Sequence, residues 1–287
     1  MSSQQLLVTY EGNIQKILFN RPEKRNAISF DIYTNLVKIL QSGATDSNVT
    51  LTVLSGVGDY YSSGNDMTNN PSDLINEDTD TSITLQKYVA AFIDYPKPLI
   101  AIVNGPAIGI SATTLALCDI VFASDTATFH TPFTLRGMTP EGCSSVLFPR
   151  IFGNSVASEL LYTGRKLNAQ EALQYGFVSG VFTTEEIERD LWPRIHAWAK
   201  LPPQSMIFAK QLVRVPMLSM LHEANKRECK RLEERWESEE FMNAITAFFN
   251  RKSPEPSADL CKWEFVGKHR ISLFLQTSVH IYLYKWE

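Results

Sequence analysis

Three loops carry the residue types that could do chemistry. The first is Tyr60-Tyr61-Ser62-Ser63-Gly64-Asn65-Asp66 and the second is Asn104-Gly105-Pro106-Ala107-Ile108-Gly109-Ile110. The third runs through Phe129-His130-Thr131-Pro132-Phe133 to Gly137-Met138-Thr139-Pro140-Glu141-Gly142-Cys143-Ser144. A glycine-containing turn between a strand and a helix can aim backbone N–H groups into a cleft, backed by the positive end of the helix dipole. One N–H from each of the first two loops would make an oxyanion hole. Taken singly, each glycine reads as an ordinary turn residue, and Glu141 reads as an exposed loop carboxylate. His130 reads as structural. Cys143 lacks the Cys–His–acid pattern of a nucleophile.

The elements that must position these loops follow from the hydropathy pattern. Residues 6–10 and 14–19 alternate around a Glu-Gly-Asn turn, a hairpin signal. Ser29 is a helix N-cap, with the helix running to about residue 40. Residues 50–54, 98–103 and 119–123 are apolar strands. Residues 68–83, rich in Asn, Asp, Ser and Thr, read as a mobile loop, and residues 85–93 read as a helix. The small apolar residues 109–117 form a buried helix. After residue 143 the pattern is mainly helical. Asn168 to Glu171 and Thr183 to Glu186 are capping boxes, and residues 218–250 form a long amphipathic region, either a solvated face or a lid or subunit contact. Strand–helix units first and helices later make an α/β core with a helical C-terminal part.

Composition bounds the rest. The 287 residues are 44% hydrophobic and 20% charged, with a net charge of -4. That is a globular balance, and an acidic chain of this kind is a poor nucleic-acid binder. Cys118, Cys143, Cys229 and Cys261 lie far apart with no CxxC pair, which argues against a zinc site or a secreted disulfide scaffold. No metal is expected. The polar N-terminus shows no secretory or transit leader, and no apolar run is long enough to cross a membrane.

Taken together, the loops resemble the crotonase (enoyl-CoA hydratase/isomerase) superfamily over residues 5–252. The likeness rests on Phe19-Asn20-Arg21-Pro22 with Asn26-Ala27-Ile28, on Ser62-Ser63-Gly64-Asn65-Asp66, on Val103-Asn104-Gly105-Pro106-Ala107-Ile108-Gly109 and on Cys118-Asp119. Phe129-His130-Thr131-Pro132-Phe133 and Thr163-Gly164-Arg165-Lys166-Leu167 complete it. Within the superfamily the sequence is most similar to the peroxisomal Δ3,Δ2-enoyl-CoA isomerases. The resemblance implies a ClpP-like spiral of ββα units over residues 1–253, helical from about 195, with residues 254–287 as an atypical extension.

It also implies site residues. Glu141 matches the isomerases' catalytic glutamate, and the backbone N–H groups of Ser63 and Ile110 match the oxyanion donors. Substrate and CoA would lie along Lys24, Arg25, Asn26 and Ala27, along Ser62, Ser63, Gly64, Asn65, Asp66 and Met67, and at Gly109 and Phe133. Asp66 reads more readily as the cap of a following turn. Tyr61, Met67, Phe133 and Phe148 are candidate walls of an apolar acyl pocket. The family's hydratases use two glutamates, at the positions of Thr113 and Phe133, and neither is a carboxylate here, which weakens a hydratase reading.

The implied activity is Δ3,Δ2-enoyl-CoA isomerisation in the β-oxidation of unsaturated fatty acids. No cofactor is implied beyond the CoA of the substrate. A homotrimer or hexamer is implied, with no nucleic acid or membrane partner. The alternative is a non-catalytic acyl-CoA-binding or interaction module of the chromodomain-Y-like kind, in some of which an aspartate replaces the glutamate. The resemblance implies a peroxisomal protein, yet the Ser-Lys-Leu address is absent. Here Arg251-Lys252-Ser253 runs on to Tyr284-Lys285-Trp286-Glu287, so a cytosolic location stays open.

Overall fold

A computed structural model describes residues 4–67 and 81–250. The alternating N-terminal residues fold back on themselves: β1 (Leu6–Glu11) and β2 (Ile14–Phe19) pair antiparallel, from Leu6 opposite Phe19 to Glu11 opposite Ile14. Helix α1 (Phe30–Thr45) starts at Ser29, whose hydroxyl accepts the Ile32 N–H at 3.3 Å. It runs five residues beyond the expected end because its buried face, Ile32, Leu36 and Leu40, continues to Gly43. Strand β3 (Leu51–Gly56) lies parallel to β2. Helix α2 (Thr81–Ile93) begins before the expected residue 85 and leads to β4 (Leu99–Val103), parallel to β3.

The expected buried helix at 109–117 is shorter and split. A two-residue strand, β5 (Ala107–Ile108), precedes α3 (Ile110–Thr113), and a 3-10 turn covers Thr114–Leu117. Next come β6 (Ile120–Ser124), β7 (Thr128–His130), α4 (Ser144–Phe152) and α5 (Asn154–Ser158). They are followed by β8 (Lys166–Asn168), α6 (Ala169–Gln174) and β9 (Gly180–Phe182). The described residues close with α7 (Thr184–Glu186), α8 (Trp192–Trp198), α9 (Pro203–Trp236) and α10 (Glu239–Asn250). Both capping boxes form.

The strands make two sheets. One has the order β1-β2-β3-β4-β6-β9, parallel apart from its first pair, and the other has the order β5-β7-β8. Strand β4 is buried at all five positions and β3 at its first five, as parallel strands covered on both faces must be. Alternation then splits the core. Leu54, Leu99, Ala101 and Val103 face α1 and α2. Leu51, Val53, Ile100 and Ile102 face Ile187, Leu191, Trp192 and Ile195. Single bridges Ile28–Asn65 and Ser62–Ala107 extend the small sheet through the first loop.

Residues 68–80, where most of the expected loop falls, and 251–287, with the expected extension, lie outside the described residues. No described helix is long and apolar enough to cross a membrane. Helix α9 begins at Pro203 and not near 218. It is tied to the sheet by an ion-pair cluster at the surface: the exposed Asp119 accepts Lys210 Nζ at 2.7 Å, Arg214 at 2.9 Å and the Leu99 N–H at 2.8 Å. Its removal leaves the buried Arg214 short of a charged partner. Asp119→Ala is therefore expected to lower stability by roughly 1–3 kcal/mol, read from urea unfolding.

Candidate active site

The first loop is built by backbone hydrogen bonds. The Ser62 N–H donates to Pro106 O at 3.2 Å, and Ser62 O accepts the Ile108 N–H at 3.0 Å. Gly64 turns the chain at φ +79°, where a Cβ would lie 2.4 Å from Ile108 O. The Ile28 N–H donates to Gly64 O at 2.8 Å and the Asp66 N–H to Ile28 O at 2.9 Å. These bonds leave the Asn65 N–H with no partner among the described residues. In the second loop the Gly109 N–H donates to His130 O at 2.8 Å, so His130 holds the turn. The chain then enters α3, whose first N–H, that of Ile110, likewise has no partner among the described residues.

Both residues line one cleft, together with Ser63, Gly64, Met67, Gly109, Phe133, Arg136 and Glu141. The cleft holds about 280 Å³ of empty space, part of it open to solvent. The expected donor Ser63 needs correction. Its side faces the cleft, but its N–H donates to Arg25 O at 2.9 Å and is taken. The open donor sits two residues on, beyond the glycine that reverses the chain. Residue types alone hold no signal for that distinction, because every residue but proline has an N–H.

Glu141 is 1% exposed, and neither carboxylate oxygen has a hydrogen-bond partner among the described residues. Burial, and then the charge of nearby Glu228, push its pKa from 4.5 up to about 8. The turn beyond it is tight: Gly142 and Cys143 both have positive φ, 68° and 62°, before α4 starts at Ser144. A Cβ on Gly142 would sit 2.3 Å from the Thr113 hydroxyl. The Gly142 turn thus packs directly against the side chain of residue 113. Thr113 is buried and donates to Ile110 O at 3.2 Å. Phe133, 1% exposed, is a wall.

The other expected residues divide. Lys24 and Arg25 are exposed, and Arg25 lies 5.5 Å over the Tyr60 ring. Asn26 is fully buried: its Oδ1 accepts the Arg21 N–H at 2.8 Å and its Nδ2 donates to Val57 O and Tyr60 O. It holds two loops together and has no amide group left to offer a ligand. Ala27 is also buried, its carbonyl accepting from Arg21 at 2.7 Å. Asp66 pairs with Arg21 at 2.8 Å, and the turn it was expected to cap lies outside the described residues. Two expected walls are elsewhere. Tyr61 packs edge-on against Phe19 in the core, and Phe148 lines a separate apolar cavity with Phe129, Phe152 and Phe177. The Cys143 thiol is buried, pushed up by burial, and donates to Leu221 O. Among the described residues no group of three or more His, Cys, Asp or Glu side chains could hold a metal ion.

With this geometry in place, comparison with known proteins is direct. The enoyl-CoA hydratase/isomerase family pattern matches residues 9–257. The chain is 49% identical over 253 residues to enoyl-CoA delta isomerase 2 of Rattus norvegicus, covering 87% of this chain but only 64% of that protein. It is 46% identical over 254 residues to the peroxisomal enoyl-CoA delta isomerase 3 of Mus musculus, covering 88% of this chain and 80% of that one. The chromodomain Y-like protein of Mus musculus is 36% identical, over 85% of this chain and 42% of its own length. The crystal structure of an enoyl-CoA hydratase/isomerase from Pseudoalteromonas atlantica superposes with a TM-score of 0.80 at 32% identity, covering 88% of this chain and all of that one.

The raised pKa of Glu141 sets a pH dependence of stability. Ionising this carboxyl costs the folded state more than the unfolded one. The cost is absent below about pH 4.5, grows as pH rises, and is complete above about pH 8. Glu141→Gln removes it. Melting curves between about pH 5 and about pH 9 should show the wild type losing a few kcal/mol relative to the variant. Parallel curves would show that the carboxyl is not confined in this way.

Proposed function

Because the chain belongs to the enoyl-CoA hydratase/isomerase family, we propose that it is an enoyl-CoA isomerase. It moves a 3-cis or 3-trans double bond of a fatty acyl-CoA to the 2-trans position. One observation carries this reading: among the described residues, one carboxyl, Glu141, lies buried and unpartnered in a cleft lined also by Asn65 and Ile110, whose backbone N–H groups have no partner among those residues.

The chemistry needs no more than these groups. In a 3-enoyl-CoA the C2 protons lie between the thioester carbonyl and the double bond, so they are acidic. Glu141 takes one and returns it to C4, and between these steps the charge rests on the thioester oxygen of a dienolate. The N–H groups of Asn65 and Ile110 stabilise that oxygen, each worth roughly 3–4 kcal/mol of barrier. A base shifted to about pKa 8 is better matched to a carbon acid than an ordinary carboxylate is. Met67, Pro132, Phe133 and Met138 keep water from the acyl chain. Adding water across the bond would require a second carboxylate, which positions 113 and 133 do not supply.

Lys24 and Arg25, stitched to the 62–66 loop through Arg25 O, face the CoA phosphates. The CoA comes with the substrate, and no other cofactor enters this reading. Copies of the chain associate as a homotrimer or hexamer. The support is α9, which leaves Phe208, Leu212, Val213 and Val215 exposed. A peroxisomal location is supported by the name of the mouse relative.

The test is conversion of a 3-enoyl-CoA to the 2-trans-enoyl-CoA by wild type and Glu141→Gln. Clear turnover is expected in the wild type, with kcat/KM rising as Glu141 ionises near about pH 8. A loss of at least about 100-fold is expected in the variant. A folded, CoA-binding wild type without turnover would point to an acyl-CoA-binding module of the chromodomain-Y-like kind. Unchanged turnover in the variant would remove Glu141 as the base.

A further inference from the structure

Neither Glu141 oxygen has a hydrogen-bond partner among the described residues, so its aim rests on its backbone, and that backbone is held from far away in sequence. Glu228, on α9 and 5% exposed, accepts the Cys143 N–H on Oε2 at 2.7 Å. Its Oε1 accepts the Ser145 N–H at 3.0 Å and the Ser145 hydroxyl. Between Glu141 and α4 the chain must pass through two left-handed residues, and one of them, Cys143, is not glycine. That conformation costs an L-residue about 1–2 kcal/mol, so the turn needs an outside hold. A second hold comes from the same helix: the Cys143 thiol donates to Leu221 O at 3.3 Å.

We propose that Glu228 is the positioning residue of Glu141, fixing the left-handed turn at Gly142 and Cys143 from which the base is aimed. This rests on the isomerase reading for its catalytic consequence. Three donors converge on Glu228, while Glu141 has none among the described residues, so the negative charge of the pair is better supported on Glu228 than on Glu141. Burial pushes both carboxyls up, and the three donors pull Glu228 back. The other ionisable groups around the pair are Tyr33 from α1, Tyr88 from α2, Cys143 beside the base, and Arg227, Cys229 and Glu233 from α9. Arg214 acts on Cys143 from α9, and Arg136 stands at the cleft.

The test compares Glu228→Ala and Glu228→Gln with wild type. In Glu228→Ala, kcat should fall about 10–100-fold while KM for the acyl-CoA stays within about twofold, since the base is misplaced and the binding surface is not. Glu228→Gln keeps a carbonyl for the Cys143 N–H and should recover much of kcat. It also removes the negative charge, so the Glu141 carboxyl, followed by 13C NMR, should titrate at lower pH than in wild type. That titration needs no turnover: if the wild type fails to isomerise, the proposed function falls while the positioning of Glu141 is still decided. If the alanine variant does not fold, the glutamine variant decides. A folded Glu228→Ala with wild-type kcat, or an unmoved Glu141 midpoint in Glu228→Gln, would overturn the proposal.

Discussion

Much of this molecule follows from leaving one carboxyl group in a dry cleft with nothing to bond to. A buried carboxyl without donors is costly as an anion, and Glu141 has none on either oxygen among the described residues. The same absence gives it chemical value, because a proton on Glu141 is neither held by a strong partner nor lost to bulk water. The fold has to supply rigidity from other directions. It does so through the packed turn at Gly142 against Thr113 and through the grip of α9 on the residues that follow.

The opposing side of the cleft is made of backbone. The 62–66 loop is bridged to Ile28 on one side and Ala107 on the other, so it behaves as an added strand of the small sheet. That pairing occupies several of its N–H and C=O groups and leaves the N–H of Asn65, a residue lining the cleft, without a partner among the described residues. Ile110 is open for a different reason: the first N–H of a helix has no partner within the helix. Two unrelated accidents of secondary structure thus present two donors to one place, and neither depends on its side chain. Asn26 and the Arg21–Asp66 pair fix the loop that carries the first of them.

Local patterns were readable wherever one segment settles its own structure. Ser29 caps α1 and both capping boxes form, because the accepting side chain and the donating backbone N–H lie within three residues of each other. The buried strands β3 and β4 were legible from continuous apolar runs. Strands β5, β7 and β8 were not, being two or three residues long and held by pairing with one another and with the first loop. At the site, Glu141 emerged from its motif, but Tyr61 and Phe148 were placed in its walls and pack elsewhere. An aromatic ring in the right sequence neighbourhood has no address until the layers are assembled. Asn26 carried a ligand-binding expectation, and its side-chain amide is taken up by the Arg21 N–H and the Val57 and Tyr60 carbonyls. Glu228 lies in the 218–250 region, readable as either a solvated face or a lid or subunit contact, and only its long-range contact with residues 143 and 145 reveals it.

The central claim is that one shielded carboxyl carries the same proton from C2 to C4. The most direct measurement uses a 3-enoyl-CoA deuterated at C2, turned over in ordinary water, with the product examined by NMR. A single buried base predicts that a measurable fraction of the deuterium removed from C2 appears at C4. A product carrying only solvent hydrogen at C4 in every turnover would contradict the account, because it would mean that the proton reaches C4 from water or from a second group.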